Sequence, residues 1–145
     1  MFSSIVIIGL AILAYSLFKF SSALSEDRYE LEEQSLAEKF STVVHTLNQA
    51  AFNGQGKIVP LDQRSFNLWQ QGKNQIINFH YSTGHLSICW KYKYLQKELV
   101  HERQFDNVRN LSLLEQQQLA ERMIQEMRPL IAQHQQNVLL RGREF

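Results

Sequence analysis

A single cysteine, two prolines, six glycines and a formal net charge of only +1 in 145 residues set the first exclusions. One thiol, Cys89, closes no intramolecular disulfide and gives a zinc site too few thiolates. With 44% apolar and 20% charged residues, the composition is globular, so collagen-like, low-complexity and disordered classes fall away. Near-neutrality also removes the electrostatic footprint of a nucleic-acid-binding domain. The interleaving of Lys91 and Lys93 with Tyr92 and Tyr94 does not restore it. Alternation along a strand sends the tyrosines to the side opposite the lysines, and Glu98 and Glu102 are placed to pair with them.

What is present begins with an apolar run, Ile5 to Phe18, interrupted only by Gly9 and Ser16. Residues 2–18 carry no formal charge, and seventeen residues span about 26 Å as a helix. Lys19 extends that length by snorkelling. This predicts a transmembrane helix over 1–20, acting as a signal anchor, with the lipid bilayer as partner of residues 2–18. No Lys or Arg precedes the run, whereas Lys19 and Arg28 follow it, so the N-terminus faces out and the main domain is cytoplasmic. The competing reading is a signal peptide cleaved after Ala23, at Ser21-Ser22-Ala23, which makes the domain periplasmic or secreted. No two small residues of the run lie four apart, so it lacks the close-approach dimer motif.

Residues 21–34 form an acidic juxtamembrane stalk in which Glu26, Asp27, Glu30, Glu32 and Glu33 face one Arg28. Anionic head groups repel such a run. A helix is expected over about 26–52, with Leu36, Phe40, Val43, Val44 and Leu47 as its buried stripe. Ser35 and Glu38 match a capping box, though the helix could also run unbroken from Ser25. The folded domain is expected over 35–140, with 141–145 as a flexible tail. Ile58 to Leu61 reads as a short extended piece that Pro60 confines to an edge or loop, and Ser65 to Trp69 as a strand.

The clearest periodicity is Ile77, Phe79 and Tyr81 alternating with Asn78, His80 and Ser82, then Leu86, Ile88, Trp90 and Tyr92 alternating with Ser87, Cys89, Lys91 and Lys93. With Thr83-Gly84 as a two-residue turn, Tyr81 opposes Leu86, Phe79 opposes Ile88 and Ile77 opposes Trp90. A slip of one residue would scatter the large apolar side chains over both faces. Glu98 to Phe105 follows as an edge strand. After the loop 106–111, Ser112 and Glu115 match a second capping box, opening a helix to about 139 that must bend or break at Pro129. The fold class is therefore α+β: a transmembrane helix, a helix, an antiparallel meander of three or possibly four strands, and a C-terminal helix, with both helices on one face of the sheet.

The register puts His80, His85 and Cys89 on the open face, the one constellation able to carry chemistry, with His101 as a further metal ligand. No standard metal spacing is present, and Cys89 at a strand centre has no evident oxyanion donors or orienting group. Gly54-Gln55-Gly56-Lys57 follows a helix, the reverse of the phosphate-binding order, and reads as a turn. His45 and His134 fall among apolar helical positions, where satisfied buried histidines are expected. Asn110-Leu111-Ser112 is a glycosylation sequon that doubles as a helix cap. The expectation is a non-catalytic membrane-anchored interaction domain, an accessory or assembly subunit of a membrane complex, with no cofactor. Its contact residues are His80, His85, Ser87, Lys91, Lys93, Glu98 and Glu102, and the alternative is a small exported ligand-binding domain.

Overall fold

Strand alternation organises the middle of the chain, and two capped helices cover what it makes apolar. The computed structural model describes the backbone of residues 2–143 and the side chains of residues 6–22, 25 and 34–141. In chain order the elements are α1 (Phe2–Glu33), α2 (Leu36–Lys39), α3 (Ser41–Phe52), β1 (Lys57–Asp62), β2 (Ser65–Trp69), β3 (Gln75–Ser82), β4 (His85–Tyr94), β5 (Lys97–Phe105) and α4 (Leu113–Arg143). The architecture is α+β, with one antiparallel sheet in the order β1-β2-β3-β4-β5.

The sheet has five strands, where three or four were expected. Ile58 to Leu61, expected as a short extended piece at an edge or in a loop, belongs to the outer strand β1; it was not counted in the sheet because β1 is exposed at all six positions, so no buried face imprints an alternation. Pro60 sits there without disrupting a ladder on both sides, since β1 pairs only with β2. The β3–β4 register is as derived, with Ile77 opposite Trp90, Phe79 opposite Ile88 and Tyr81 opposite Leu86. Thr83 and Gly84 both adopt positive φ, at 52° and 77°, the backbone that a twisted two-residue hairpin requires.

The expected helix over 26–52 is instead broken. The chain leaves α1 after Glu33, and the Ser35 side chain accepts a hydrogen bond from the Glu38 N–H at 3.2 Å, starting α2 afresh. A second turn falls at Phe40, whose ring is buried 5.6 Å from that of Tyr81. Fixing that ring in the core redirects the chain into α3. At the start of α4, the Glu115 N–H donates to Ser112 Oγ as the expected cap requires, while the Glu115 carboxylate accepts from the Ser112 hydroxyl rather than from its backbone N–H. Of the expected bend or break at Pro129, the break does not occur: α4 runs continuously through it, at the cost of the one amide donor that proline lacks. It continues to Arg143, so residues 141–143 of the expected tail are helical. Residues 144–145 lie outside the described residues.

The core lies between the sheet and the two helices α3 and α4. Ile77, Phe79, Tyr81, Leu86, Ile88 and Trp90 fill it from the sheet; Val43, Leu47, Met123 and Met127 fill it from the helices. α3 and α4 are also joined by Thr46 Oγ1 to Gln117 Oε1 at 3.0 Å, and α4 is tied to α2 by Gln116 Nε2 donating to the Lys39 carbonyl at 3.1 Å. None of the apolar residues of α1 whose side chains are described belongs to this core. From Val6 to Phe20 its large apolar side chains are 56–74% exposed. Among the described residues no helix is long and apolar enough to cross a membrane. Of the expected span, the side chains of residues 2–5 lie outside the described residues, as do those of the acidic run Glu26, Asp27, Glu30, Glu32 and Glu33.

Candidate functional site

A sheet whose inner face is sealed by helices offers its other face to solvent, and alternation decides who stands there. Lys57, Trp69, Ile76, Lys91 and Val100 form one row across all five strands, through the pairings Lys57–Trp69, Trp69–Ile76, Ile76–Lys91 and Lys91–Val100. The next row runs Val59, Asn67, Asn78, Cys89, Glu102, and His80 then stands opposite Ser65 and Ser87. Beyond the first row Lys93 faces Glu98. The expected contact residues His80, His85, Ser87, Lys91, Lys93, Glu98 and Glu102 therefore do share one face.

Their pairing differs from expectation. Neither Glu98 nor Glu102 forms an ion pair with Lys91 or Lys93 among the described residues. Glu102 sits opposite Cys89, and Glu98 stands opposite Lys93 without closing an ion pair with it. His85 places Nδ1 2.9 Å from the Asp106 carboxylate, at the end of the sheet marked by the β3–β4 turn. At that same end Asp62 accepts from the Arg64 N–H at 2.7 Å and from the Ser65 hydroxyl at 3.0 Å; the backbone bond foremost holds its carboxyl below the usual range.

His101 is not on this face. It stands opposite Trp90, on the helix-covered side, where its Nε2 lies 3.1 Å from Glu126 of α4, and Glu126 also pairs with Arg103. The expected fourth ligand is thus turned away from His80, His85 and Cys89. No group of three His, Cys, Asp or Glu side chains able to hold a metal ion occurs among the described residues. His45 is exposed rather than buried. His134 is half-buried and donates from Nε2 to the Lys97 carbonyl at 2.9 Å.

Cys89 is half-buried, and burial pushes its thiol up, with the Glu102 carboxylate adding to the effect. A thiol held protonated at neutral pH is a poor nucleophile. Cys89 is therefore expected to react with iodoacetamide at pH 7.4 more slowly than glutathione, and Glu102→Gln to quicken it. Labelling faster than that free thiol contradicts the arrangement.

Sequence reading missed Lys57, Trp69, Lys73 and Ile76 as members of this face. Trp69 stands between two hollows. One, of about 280 Å³, is lined by Trp69, Lys73, Ile76, Lys91, Lys93 and Glu98 among others. The second, of about 340 Å³, is lined by Gln55, Lys57, Trp69, Gln70 and Gln71. The available signal was the alternation Phe66 and Leu68 inward against Asn67 and Trp69 outward, which needed the β1–β2 and β2–β3 pairings to acquire neighbours. No family model, curated protein or solved structure matches the chain.

Proposed function

We propose that this chain is a single-pass, membrane-anchored interaction domain, a non-catalytic accessory or assembly subunit of a membrane protein complex. One observation carries the reading: an apolar helix surface that the fold does not use. The described core takes nothing from Val6 to Phe20 of α1, whose large apolar residues are left exposed. In water such a surface costs roughly 25 cal/mol for every Å² of it, and a bilayer removes that cost. Together with Phe2 to Ile5 the uncharged stretch reaches seventeen positions, with Lys19 placed to snorkel. In this reading the N-terminus faces out and the domain lies in the cytoplasm, where a lone cysteine stays reduced. Near-neutral charge argues against nucleic acid as partner, and an elevated Cys89 thiol argues against thiol chemistry.

Fractionation tests it. Full-length protein is expected to remain in the membrane pellet after an alkaline carbonate wash and to leave only with detergent. Its intact mass should retain residues 1–23, and the domain should resist protease in sealed right-side-out vesicles. Release by carbonate overturns the anchor. A mature mass starting after Ala23 establishes the exported domain instead.

A further inference from the structure

The open face is not uniform along the strands. The end formed by the β2–β3 and β4–β5 turns gathers Lys57, Lys73, Lys91 and Lys93, all exposed and none in an ion pair among the described residues. In their midst are Trp69, 40% exposed, the half-buried Ile76 and the exposed Val100. One carboxylate, Glu98, lines the hollows there. The opposite end holds Asp62, His85 and Asp106 instead. Four cations with no ion pair among the described residues, set around an exposed indole with one carboxylate nearby, are what an anionic partner with an apolar side chain would recognise.

The dimensions select among anionic partners. Lys57 and Lys91 lie three strands apart in one row, about 14 Å at the usual strand spacing, with Trp69 and Ile76 between them. That is too wide for one small anion to bridge. An extended peptide covers about 13 Å in four residues, so acidic side chains at i and i+4 reach both hollows while an apolar residue at i+2, on the same side, lies over Trp69.

Position argues against a lipid surface. Ser35 and Leu36, where the chain arrives from α1, line a groove with Asp62, Gln63, Ser65 and Phe66, beside the β1–β2 turn. The lysine cluster is at the other end of the strands, away from the side on which the helix joins.

We propose that the Trp69 ridge and its two lysine-bearing hollows are a docking site for an acidic protein segment of the pattern acid-x-apolar-x-acid. This rests on the interaction-domain reading and names the chemistry of its partner. Rim charges of this kind steer association and make it salt-dependent, while the indole sets how long the segment stays.

The test uses the full-length protein in phosphatidylcholine nanodiscs and a fluorescein-labelled twelve-residue peptide of repeated Glu-Ser-Leu-Ser units. Anisotropy should report binding that weakens about tenfold between 50 and 300 mM salt. Trp69 emission should shift on binding; Trp90, buried in the core, supplies a constant background. Lys57→Glu with Lys91→Glu should cost at least about tenfold in affinity with far-UV circular dichroism and melting temperature unchanged, because both lysines are exposed; Trp69→Ala should cost a similar factor and keep the folded far-UV spectrum while lowering the melting temperature, because its ring is only 40% exposed. Should the charge reversal disturb the fold, Lys57→Gln with Lys91→Gln is the substitute and should cost about threefold. A peptide with lysine in place of glutamate should not bind. No binding of the acidic peptide, or binding indifferent to these substitutions, overturns the proposal. So does preferential attachment of the protein to phosphatidylglycerol vesicles through the same lysines, which would make the ligand a lipid. Because anisotropy does not depend on carbonate extraction, a failed anchor and a failed docking site give different results.

Discussion

Phe79→Ala is expected to lower the stability of the domain by about 3–5 kcal/mol, enough to unfold a marginal domain outright. The ring is 0% exposed, on the central strand, with Phe66 and Ile88 as its cross-strand neighbours. Phe66 stacks on it at 4.6 Å between centroids and 10° between planes, so the substitution removes a packed pair as well as buried area. The cavity has little means of closing, because the strands on both sides are paired and the helices beyond are pinned to one another. Phe79→Leu retains most of the volume and should cost less than about half as much. Urea titration followed by circular dichroism measures both. A loss below about 1 kcal/mol for the alanine variant would place the centre of the core elsewhere.

Asn48→Ala is the second large effect, about 1–3 kcal/mol, or a fall in melting temperature on the order of 10 °C. From α3 its side chain grips Gly56 twice: the Gly56 N–H donates to Oδ1 at 2.8 Å, and Nδ2 donates to the Gly56 carbonyl at 3.2 Å. That clip fixes where β1 begins. Gly56 is required there for closeness: a Cβ would meet Asn48 Oδ1 and the buried Phe52 ring carbon Cδ2, each at 2.8 Å. Gly56→Ala should therefore cost about 1–3 kcal/mol on its own. Both substitutions break the same contact, so the double variant should lose less than the sum, by about 0.5 kcal/mol or more. Strict additivity in thermal melts would show that the clip is not a unit.

Particular residues explain how much of this was legible beforehand. The β3–β4 hairpin could be read residue by residue because seven large apolar side chains fit one register and no other. Both serine caps could be read because Ser35 with the Glu38 N–H, and Ser112 with the Glu115 N–H, are local chemistry that needs no tertiary partner. β1 was read only as a short extended piece at an edge or in a loop, through Pro60, because a strand exposed on every residue carries no alternation to place it in the sheet. The break at Phe40 could not be read: it follows from a ring seated against Tyr81, far along the chain. His101 was assigned to the wrong face although Glu98 and Glu102, rightly placed on the open face, already set the phase of β5: alternation sends residue 101 to the helix-covered side, opposite Trp90 and against Glu126. Half of the candidate site was visible, the lysines and acids of β4 and β5. The other half, Lys57, Trp69 and Lys73, depended on the two strand pairings that sequence left open.

The outer strands of the sheet bear on what happens when many copies share one surface. Tethered as proposed, the domains meet in two dimensions at high local density, the condition under which bare strand edges zip into chains. β1 meets a neighbour with Pro60, which has no amide hydrogen to give, and with a register shift between Pro60 and Asp62 that bends the ladder. β5 meets it with Lys97, Glu98, Glu102 and Arg103. A crowded bilayer would thus hold these molecules as separate individuals, each free to answer its own partner.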